Sequence, residues 1–419
     1  MMKQTRRSLV LLIFAALSCA AQQKLSDAEQ QELGQALGEA GNSSVEFARV
    51  LEAHLNKYPN SPQRDELERA LVKSALEAND KRRILTWGER SLEKNINQPQ
   101  LLERVARILL EVEDKDRSER ALKYARRFEE GIRGLQGEAP KNPRQKAQFT
   151  DEYDRAIGRA LTLQARATGN LGKPDEAAAL AQKSFETYAS HESAREAARW
   201  LAKAGKGLES ARRYADAFVA PDNTSELRAK DRTLMAEQYR KEKGTETGLG
   251  DLVLEAHDRA VAIGAKRLAR LREFDPNLGV TSPVDFTVSA LQGEPLKLGS
   301  LKGKVVILDF WATWCGPCRV QHPLYEQVKK KFAGAGDVVF IAINTDEDIA
   351  AVQPFIESNK WDPKNVYFED GLSNLLKVSS IPTTIVFGKD GQVFSRMNGF
   401  VPERFVDQLT ARIEEARAQ

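Results

Sequence analysis

Apolar residues recur at helical spacing through most of the first two thirds of the chain. Over residues 26–274, alanine, leucine and charged side chains dominate, and the apolar positions lie three and four residues apart. Few segments in this range have the β-branched runs of a strand. The pattern therefore predicts an all-α domain over residues 22–275.

Three helical segments in this region share a polar start followed by small and large apolar residues on one face. They begin at Asp80, Asp116 and Lys173, and they resemble the second helices of tetratricopeptide-type hairpins. The turn at 172–176 is matched loosely by 205–209, near the period of that family. The resemblance implies a helical-repeat solenoid that binds a peptide or a partner protein on its concave face. A plain helical bundle is the alternative.

The pattern changes after a break at Asp275 and Pro276, where β-branched runs bounded by Gly, Asp or Pro replace it. These predicted core strands lie at 305–309, 338–344, 383–387 and 393–397. Between the first two, apolar residues at every fourth position from Val320 to Phe332 form one stripe of a helix, and a similar stripe follows Pro402. Helices covering a mixed sheet predict an α/β domain over residues 276–419.

Two cysteines lie where the first predicted strand gives way to the helical stripe. Cys315 and Cys318 enclose Gly316 and Pro317, and this spacing places the first cysteine at a helix N-terminus. Unpaired N–H groups and the positive end of the helix dipole stabilise a thiolate there. We therefore expect an exposed nucleophile of low pKa at Cys315 and a shielded Cys318 that closes an intramolecular disulfide.

The residues around this pair resemble the thioredoxin family. Trp311 and Trp314 precede the pair, Pro323 follows it, and Ile381 with Pro382 is similar to the family's cis-proline loop. The stretches 282–304 and 344–361 further resemble the exported TlpA-like and ResA-like thioredoxins. The resemblance covers the last third of the chain. It implies a thioredoxin-like fold, with a central mixed sheet flanked by helices, and thiol:disulfide exchange that needs no cofactor and no metal.

The resemblance also implies roles for individual residues. Cys315 would attack a disulfide of a protein substrate, and Cys318 would resolve the mixed disulfide and release two substrate thiols. The cis-proline would offer a backbone edge on which substrate pairs as an added strand. The residues expected to contact substrate are Trp314, Gly316, Pro317, Ile381 and Pro382.

Asp309 is an acid in an otherwise apolar strand, where burial raises a carboxyl pKa. It suits a proton acceptor for Cys318, and the alternative is a strand-end residue that reaches water. ResA-like proteins instead have an acid three residues after the second cysteine, where this chain has Gln321. That departure weakens any transfer of their role in cytochrome c maturation.

The first 21 residues predict an export signal. A cationic start precedes an apolar core at 9–17, which is too short to span a bilayer comfortably. Cys19 is a candidate lipidation site, and cleavage after Ala20 or Ala21 is the alternative. We expect an extracytoplasmic protein of the periplasm or cell envelope, with a possible lipid anchor at Cys19. A membrane thiol donor of the DsbD or CcdA type would then keep its dithiol reduced.

Composition narrows the function classes further. The chain of 419 residues has 63 basic and 60 acidic side chains, interspersed along it, so no basic stripe suits a nucleic acid. Only three cysteines are present, and one lies in the leader, which leaves no structural disulfide framework. A structural zinc needs two further ligands beside the cysteine pair, and His322 alone lies near it in sequence. Arg319 after Cys318 departs from the usual haem-attachment pattern.

Three functions fit these features. The expected one is an exported thiol:disulfide oxidoreductase that reduces protein disulfides and uses its helical domain to select partners. A thiol peroxidase shares the fold, but the run before Cys315 lacks the proline of the peroxidatic Pro-x-x-x-Thr-x-x-Cys frame. A third possibility is a binding scaffold whose dithiol only locks a partner in place.

Overall fold

The computed structural model describes residues 26–94, 98–140 and 142–419. They divide into two compact units. The first holds the described residues up to Ala139 together with Phe149–Ala265, and the second holds Pro140–Gln148 and Lys266–Gln419. Cys19 and the rest of the expected export signal lie outside the described residues. The domain boundary at Pro276 stays a prediction.

The described residues before the domain that contains the cysteine pair form helices joined by short turns, which confirms the all-α prediction. One helix, α4, changes winding, from Lys81–Arg83 through a π-helical Ile84–Gly88 to Glu89–Lys94. The others are α1 (Asp27–Ala40), α2 (Ser44–Lys57), α3 (Arg64–Glu77), α5 (Pro99–Leu109), α6 (Lys115–Gly134), α7 (Pro143–Asn170), α8 (Pro174–Thr187), α9 (His191–Lys203), α10 (Gly207–Val219), α11 (Ser225–Lys243) and α12 (Leu249–Arg272).

Consecutive helices of the first unit pack against one another, as in the pairs α2–α3, α5–α6 and α8–α9. Their facing sides bury Leu51, Leu71, Leu102 and Phe128, and burial of such side chains contributes about 1.5–3 kcal/mol each. Helix starts are capped where the sequence offers a hydroxyl, as when Ser43 Oγ accepts the N–H of Glu46. Whether these pairs form true repeats stays a prediction.

The second unit contains a five-stranded mixed sheet and a two-stranded one. The strands are β1 (Thr287–Val288), β2 (Leu296–Lys297), β3 (Val305–Trp311), β4 (Val338–Asn344), β5 (Val366–Phe368), β6 (Thr383–Phe387) and β7 (Val393–Asn398). The five-stranded sheet has the order β5-β4-β3-β6-β7. β3 pairs in parallel with β4 and antiparallel with β6, while β4–β5 is parallel and β6–β7 antiparallel. The helices are α13 (Gly316–Lys331), α14 (Val352–Asn359), α15 (Leu372–Leu375) and α16 (Pro402–Ala418).

This architecture confirms the predicted thioredoxin-like α/β fold, and β3, β4, β6 and β7 lie where the apolar runs placed them. The central strand β3 is buried along its whole length, because both faces of the sheet are covered. Ile307 faces Val328 and Phe405 on one side, whereas Leu308 packs with Ile385 on the other. In the described ranges, no helix is both long and apolar enough to cross a bilayer.

Candidate active site

The dithiol lies at the junction of β3 and α13. Cys315 is the residue that caps α13, and its Sγ accepts the N–H of Cys318 at 3.2 Å. The two cysteines form the expected disulfide, with their Cα atoms 5.3 Å apart. The first turn of the helix therefore directs an N–H group at the sulfur that would carry the thiolate charge.

The expectation that Cys315 is exposed is wrong for this disulfide form. Cys315 is 3% exposed and Cys318 4%, so burial does not distinguish the two sulfurs. The reason is that the capping sulfur turns back over the helix and packs in one cluster with Trp311, Val352 and Ile356. Trp314, which is 69% exposed, occupies the surface beside the disulfide instead.

The residues expected to contact substrate lie around this cluster. Gly316 and Pro317 are exposed on the first turn of α13. The Ile381–Pro382 peptide bond is cis, and Ile381 packs against the cluster that contains the disulfide. The carbonyl oxygen of Pro382 accepts the N–H of Gly399 at 2.8 Å, which ties this loop to the end of β7. Their contact with substrate stays a prediction.

Asp309 is buried in β3 next to the dithiol, at 8% exposure. Burial raises the pKa of its carboxyl from 3.8 to about 7, against the opposing effect of hydrogen bonds from Thr384 and Gln321. Gln321 Nε2 donates at 2.7 Å and Thr384 Oγ1 at 2.9 Å. Both donors are neutral, so no cation holds this carboxyl ionised. A group with this pKa can accept and release a proton near neutral pH.

Gln321 thus stands where ResA-like proteins carry an acid, and it binds the acid on the strand instead. Its side chain is buried between Asp309 and Thr384. Because the amide is neutral, the position three residues after Cys318 supplies a hydrogen-bond donor to Asp309 and no second carboxyl.

A residue that the sequence did not single out fixes the segment before Cys315. Asp346, after β4, accepts the N–H and the Oγ1–H of Thr313, both at 2.8 Å. Asn344 Nδ2 donates to the same carboxylate at 2.7 Å. The register was a usable signal, because Trp311 pairs with Asn344 and the residues after two parallel strands meet at one edge of the sheet.

The described part of the chain contains no group of three or more His, Cys, Asp or Glu side chains placed to hold a metal ion.

Known proteins are similar to this part of the chain. Residues 278–412 match the family model described as Redoxin. A thiol-disulfide oxidoreductase ResA from Bacillus cereus (strain ZK / E33L) is 32% identical over 141 residues, which make up 33% of this chain and 78% of that protein. A protein of the same name from Bacillus subtilis (strain 168) is 31% identical over 123 residues, 29% of this chain and 68% of that protein. A crystal structure of a secreted disulfide oxidoreductase from Mycobacterium tuberculosis has 27% sequence identity and a TM-score of 0.28, and the likeness covers 32% of this chain and 97% of that chain.

Proposed function

This chain belongs to the ResA-like thiol-disulfide oxidoreductases, and on that premise we propose that it reduces disulfides of exported proteins outside the cytoplasm. The observation that carries the proposal is the buried Asp309, whose pKa is raised to about 7 and which lines the same small cavity as Cys318. A buried acid without a cationic partner costs stability, and such a group beside a dithiol is suited to proton transfer.

The reaction runs in two exchanges. The Cys315 thiolate attacks one sulfur of the substrate disulfide, a new S–S bond forms, and the other substrate sulfur leaves with the electron pair and takes up a proton. Asp309 then takes the proton of the Cys318 thiol, and the resulting thiolate attacks Cys315 Sγ. The Cys315–Cys318 disulfide forms and the second substrate thiolate leaves, so two electrons pass from the dithiol to the substrate.

Reduction of insulin by dithiothreitol tests this function. The purified protein should accelerate the reaction, and Cys315→Ser should reduce the rate to that of dithiothreitol alone. The exposed Ser300→Ala variant of the same unit is the matched control and should act like the wild type. A Cys315→Ser protein that still accelerates the reaction would refute the nucleophile.

The export signal, the lipid anchor at Cys19 and a membrane donor of the DsbD or CcdA type are parts of the same proposal. The support is the cationic and apolar leader of the sequence. The full chain and a Cys19→Ala variant can be expressed in a bacterium and fractionated. We expect both outside the cytoplasm and only the first in the membrane fraction. If the full chain and the Cys19→Ala variant are found equally in the soluble envelope fraction, Cys19 is not a lipid anchor.

We further propose that the helical unit selects the protein partner. The support is a cavity of about 600 Å³ in that unit, a volume typical of ligand sites. Apolar side chains form most of its lining, and two of the three charged lining residues, Glu103 and Arg159, pair with each other at 3.0 Å. An apolar segment of a partner suits such a lining. We call this cavity the groove of the helical unit, and its apolar lining residues are Leu76, Pro99, Leu101, Phe128, Ile132, Leu135, Phe149, Tyr153 and Ala156.

Partner trapping tests the selecting role. A full-length Cys318→Ser protein should accumulate partners as mixed disulfides on Cys315. Leu135→Glu in that background should change which partners are trapped, whereas Val112→Glu, at an exposed position outside the groove, should not. An unchanged set of partners in the Leu135→Glu protein would exclude selection by the groove.

A further inference from the structure

A small cavity of about 30 Å³ lies beside the disulfide, and its wall carries unpaired polar groups. Asp309 and Cys318 line it together with Trp311 and Tyr325. The indole Nε1 of Trp311 is buried and has no hydrogen-bond partner among the described residues, and the buried hydroxyl of Tyr325 lies near the backbone of Ile341. The volume suffices for one water, and the wall offers the two to four polar partners that a buried water needs.

Asp309 lines this cavity and has one carboxyl oxygen without a hydrogen bond from the described residues. The hydrogen bonds from Gln321 and Thr384 both go to Oδ1, and Oδ2 accepts none from the described residues. Water in the cavity could therefore accept a proton from Asp309 or return one to it, without breaking the bonds that hold the side chain.

His322 lines the same cavity and is half-buried. It follows Cys318 by one turn of α13, and its ring stacks on Trp361 with centroids 3.6 Å apart and planes 3° apart. Trp361 packs in turn on Trp311, at 5.0 Å between centroids. The imidazole is therefore held in one orientation between the cavity and the surface.

The charges around His322 largely neutralise one another. Glu326 and Lys329 face it from the same helix, and Asp362 and Lys364 line the cavity from the segment before β5. Lys329 Nζ lies 3.1 Å from Glu326 and 3.5 Å from Asp362. Burial is the main effect, and it lowers the pKa of His322 below its usual value despite Glu326, so the ring is neutral at pH of about 7 and can accept a proton.

We propose that His322 is the proton-exchange residue of the buried Asp309–Cys318 pair, acting through water bound in this cavity. The inference rests on the resolving role proposed for Cys318. Cys318 Sγ–H gives its proton to Asp309, the cavity water carries that proton to a ring nitrogen of His322, and His322 releases it to solvent. No electrons move in this relay, and the carboxylate is restored for the next turnover.

A two-phase exchange reaction with the disulfide reagent dithiobis(nitrobenzoate) separates the steps in the full-length protein. Attack by Cys315 releases one coloured thiolate, and resolution by Cys318 releases the second. His322→Phe retains a ring to stack on Trp361 but has no proton acceptor. We expect its first phase to keep the wild-type rate, and its second to slow roughly a hundredfold, the low end for a positioned acid–base group. His257→Phe, an exposed histidine of the helical unit, is the matched control and should change neither phase.

Chemical rescue distinguishes proton exchange from packing. His322→Ala should also slow the second phase, and added imidazole should restore it, because the small base can occupy the space of the lost ring. Wild-type second phases in both variants, equal slowing of both phases, or a slow alanine variant that imidazole does not accelerate would each overturn the role of His322. Loss of the second phase in Asp309→Asn together with wild-type behaviour of both His322 variants would leave the proposed function intact and reject only this relay.

Discussion

The two units differ in what surrounds a buried acidic side chain, and the pKa of that side chain shifts in opposite directions in the two. In the helical unit, Glu192 pairs with two arginines. Its Oε1 lies 2.8 Å from Arg107 Nη1 and 3.4 Å from Arg166 Nη2. Burial would raise the pKa of Glu192, but the charge of Arg107 and its hydrogen bonds outweigh it, and the pKa is lowered. In the dithiol unit, the described residues give Asp309 only an amide and a hydroxyl as hydrogen-bond donors, and burial raises its pKa to about 7. A paired acid stays charged and holds helices together, whereas an unpaired one is free to move a proton.

This contrast separates structural from chemical carboxyl groups. Glu196 in α9 accepts Arg166 at 2.7 Å and the indole N–H of Trp200 at 2.7 Å, and so links α7 to α9. Such a network satisfies the hydrogen-bonding groups of its members and holds the two helices together. Asp309 instead reduces the stability of its own unit at neutral pH. Groups that destabilise a fold in this way cluster at functional sites.

The largest expected effect concerns turnover. Cys318→Ser should reduce insulin reduction to the uncatalysed rate, because the mixed disulfide on Cys315 can no longer be resolved. Arg166→Met, which breaks the buried ion network of the helical unit, should leave the rate near that of the wild type. Mass spectrometry of the stalled protein should find substrate joined to Cys315. Turnover in Cys318→Ser, or its loss in Arg166→Met, would break the division between the units.

The pH dependence of stability should reveal Asp309 directly. Its folded-state pKa is about 7 against 3.8 for the free group, so the folded protein binds an extra proton between these values. Stability therefore falls as the pH rises through this window and stays lower above it. Asp309→Asn cannot ionise, and at pH of about 8 it should exceed the wild type by as much as about 4 kcal/mol, with little difference at pH of about 4.

Denaturant unfolding of both proteins in the disulfide form measures this difference. Thr384→Val, which removes a hydrogen-bond donor to Asp309, should extend the fall in stability to higher pH and so enlarge it, because the ionised carboxyl loses a partner. A wild-type protein whose stability is flat between pH of about 4 and 8 would show that Asp309 is not raised in pKa.

In the helical unit, a substitution beside a buried acid should lower the free energy of unfolding, whereas Asp309→Asn should raise it. Arg166→Met leaves Glu196 buried beside fewer donors and should lower the free energy of unfolding by about 3 kcal/mol. The matched control is Lys230→Met, which removes an exposed pair with Glu226 and should change stability by less than about 1 kcal/mol. Unfolding followed by circular dichroism gives both values. An Arg166→Met protein with the free energy of unfolding of the wild type would mean that the Arg166–Glu196 network does not stabilise the packing of α7 on α9.

The sequence was sufficient for the order of elements and for the chemistry of the dithiol. Cys315, Cys318 and Asp309 are read from local signals, since a strand, a helix start and an acid in an apolar run lie within ten residues of chain. The burial of Cys315 does not follow from the local pattern, because it depends on packing in one cluster with Val352 and Ile356, which lie on another helix.

The supporting contacts were missed for the same reason. Asp346 is 33 positions from Thr313 along the chain, and Trp361 meets His322 only after the sheet has formed. Gln321 departs from the family pattern in the sequence, but its hydrogen bond to Asp309 follows from the packing of α13 on β3. Patterns specify elements, whereas contacts between distant residues are decided by the way those elements pack.

A smaller effect is expected from Asp346. Asp346→Ala releases both donors of Thr313, and we expect it to slow attack by Cys315 about tenfold, the equivalent of one charge-assisted hydrogen bond. Asp346→Asn keeps an acceptor and should recover part of the rate, and the exposed neighbour change Glu347→Ala should have no effect. The pH profile of the attack should shift with Asp346→Ala, since the thiolate no longer lies in the same geometry. An unchanged rate and profile would make Asp346 a loop residue only.

The two-phase exchange reaction of Asp309→Asn tests the proton-acceptor role of Asp309 most directly. Attack by Cys315 should keep its wild-type rate, while release of the second thiolate should slow at least roughly a hundredfold at neutral pH, because Cys318 has lost its proton acceptor. Slower attack with normal resolution, or two phases at wild-type rates, would contradict that role.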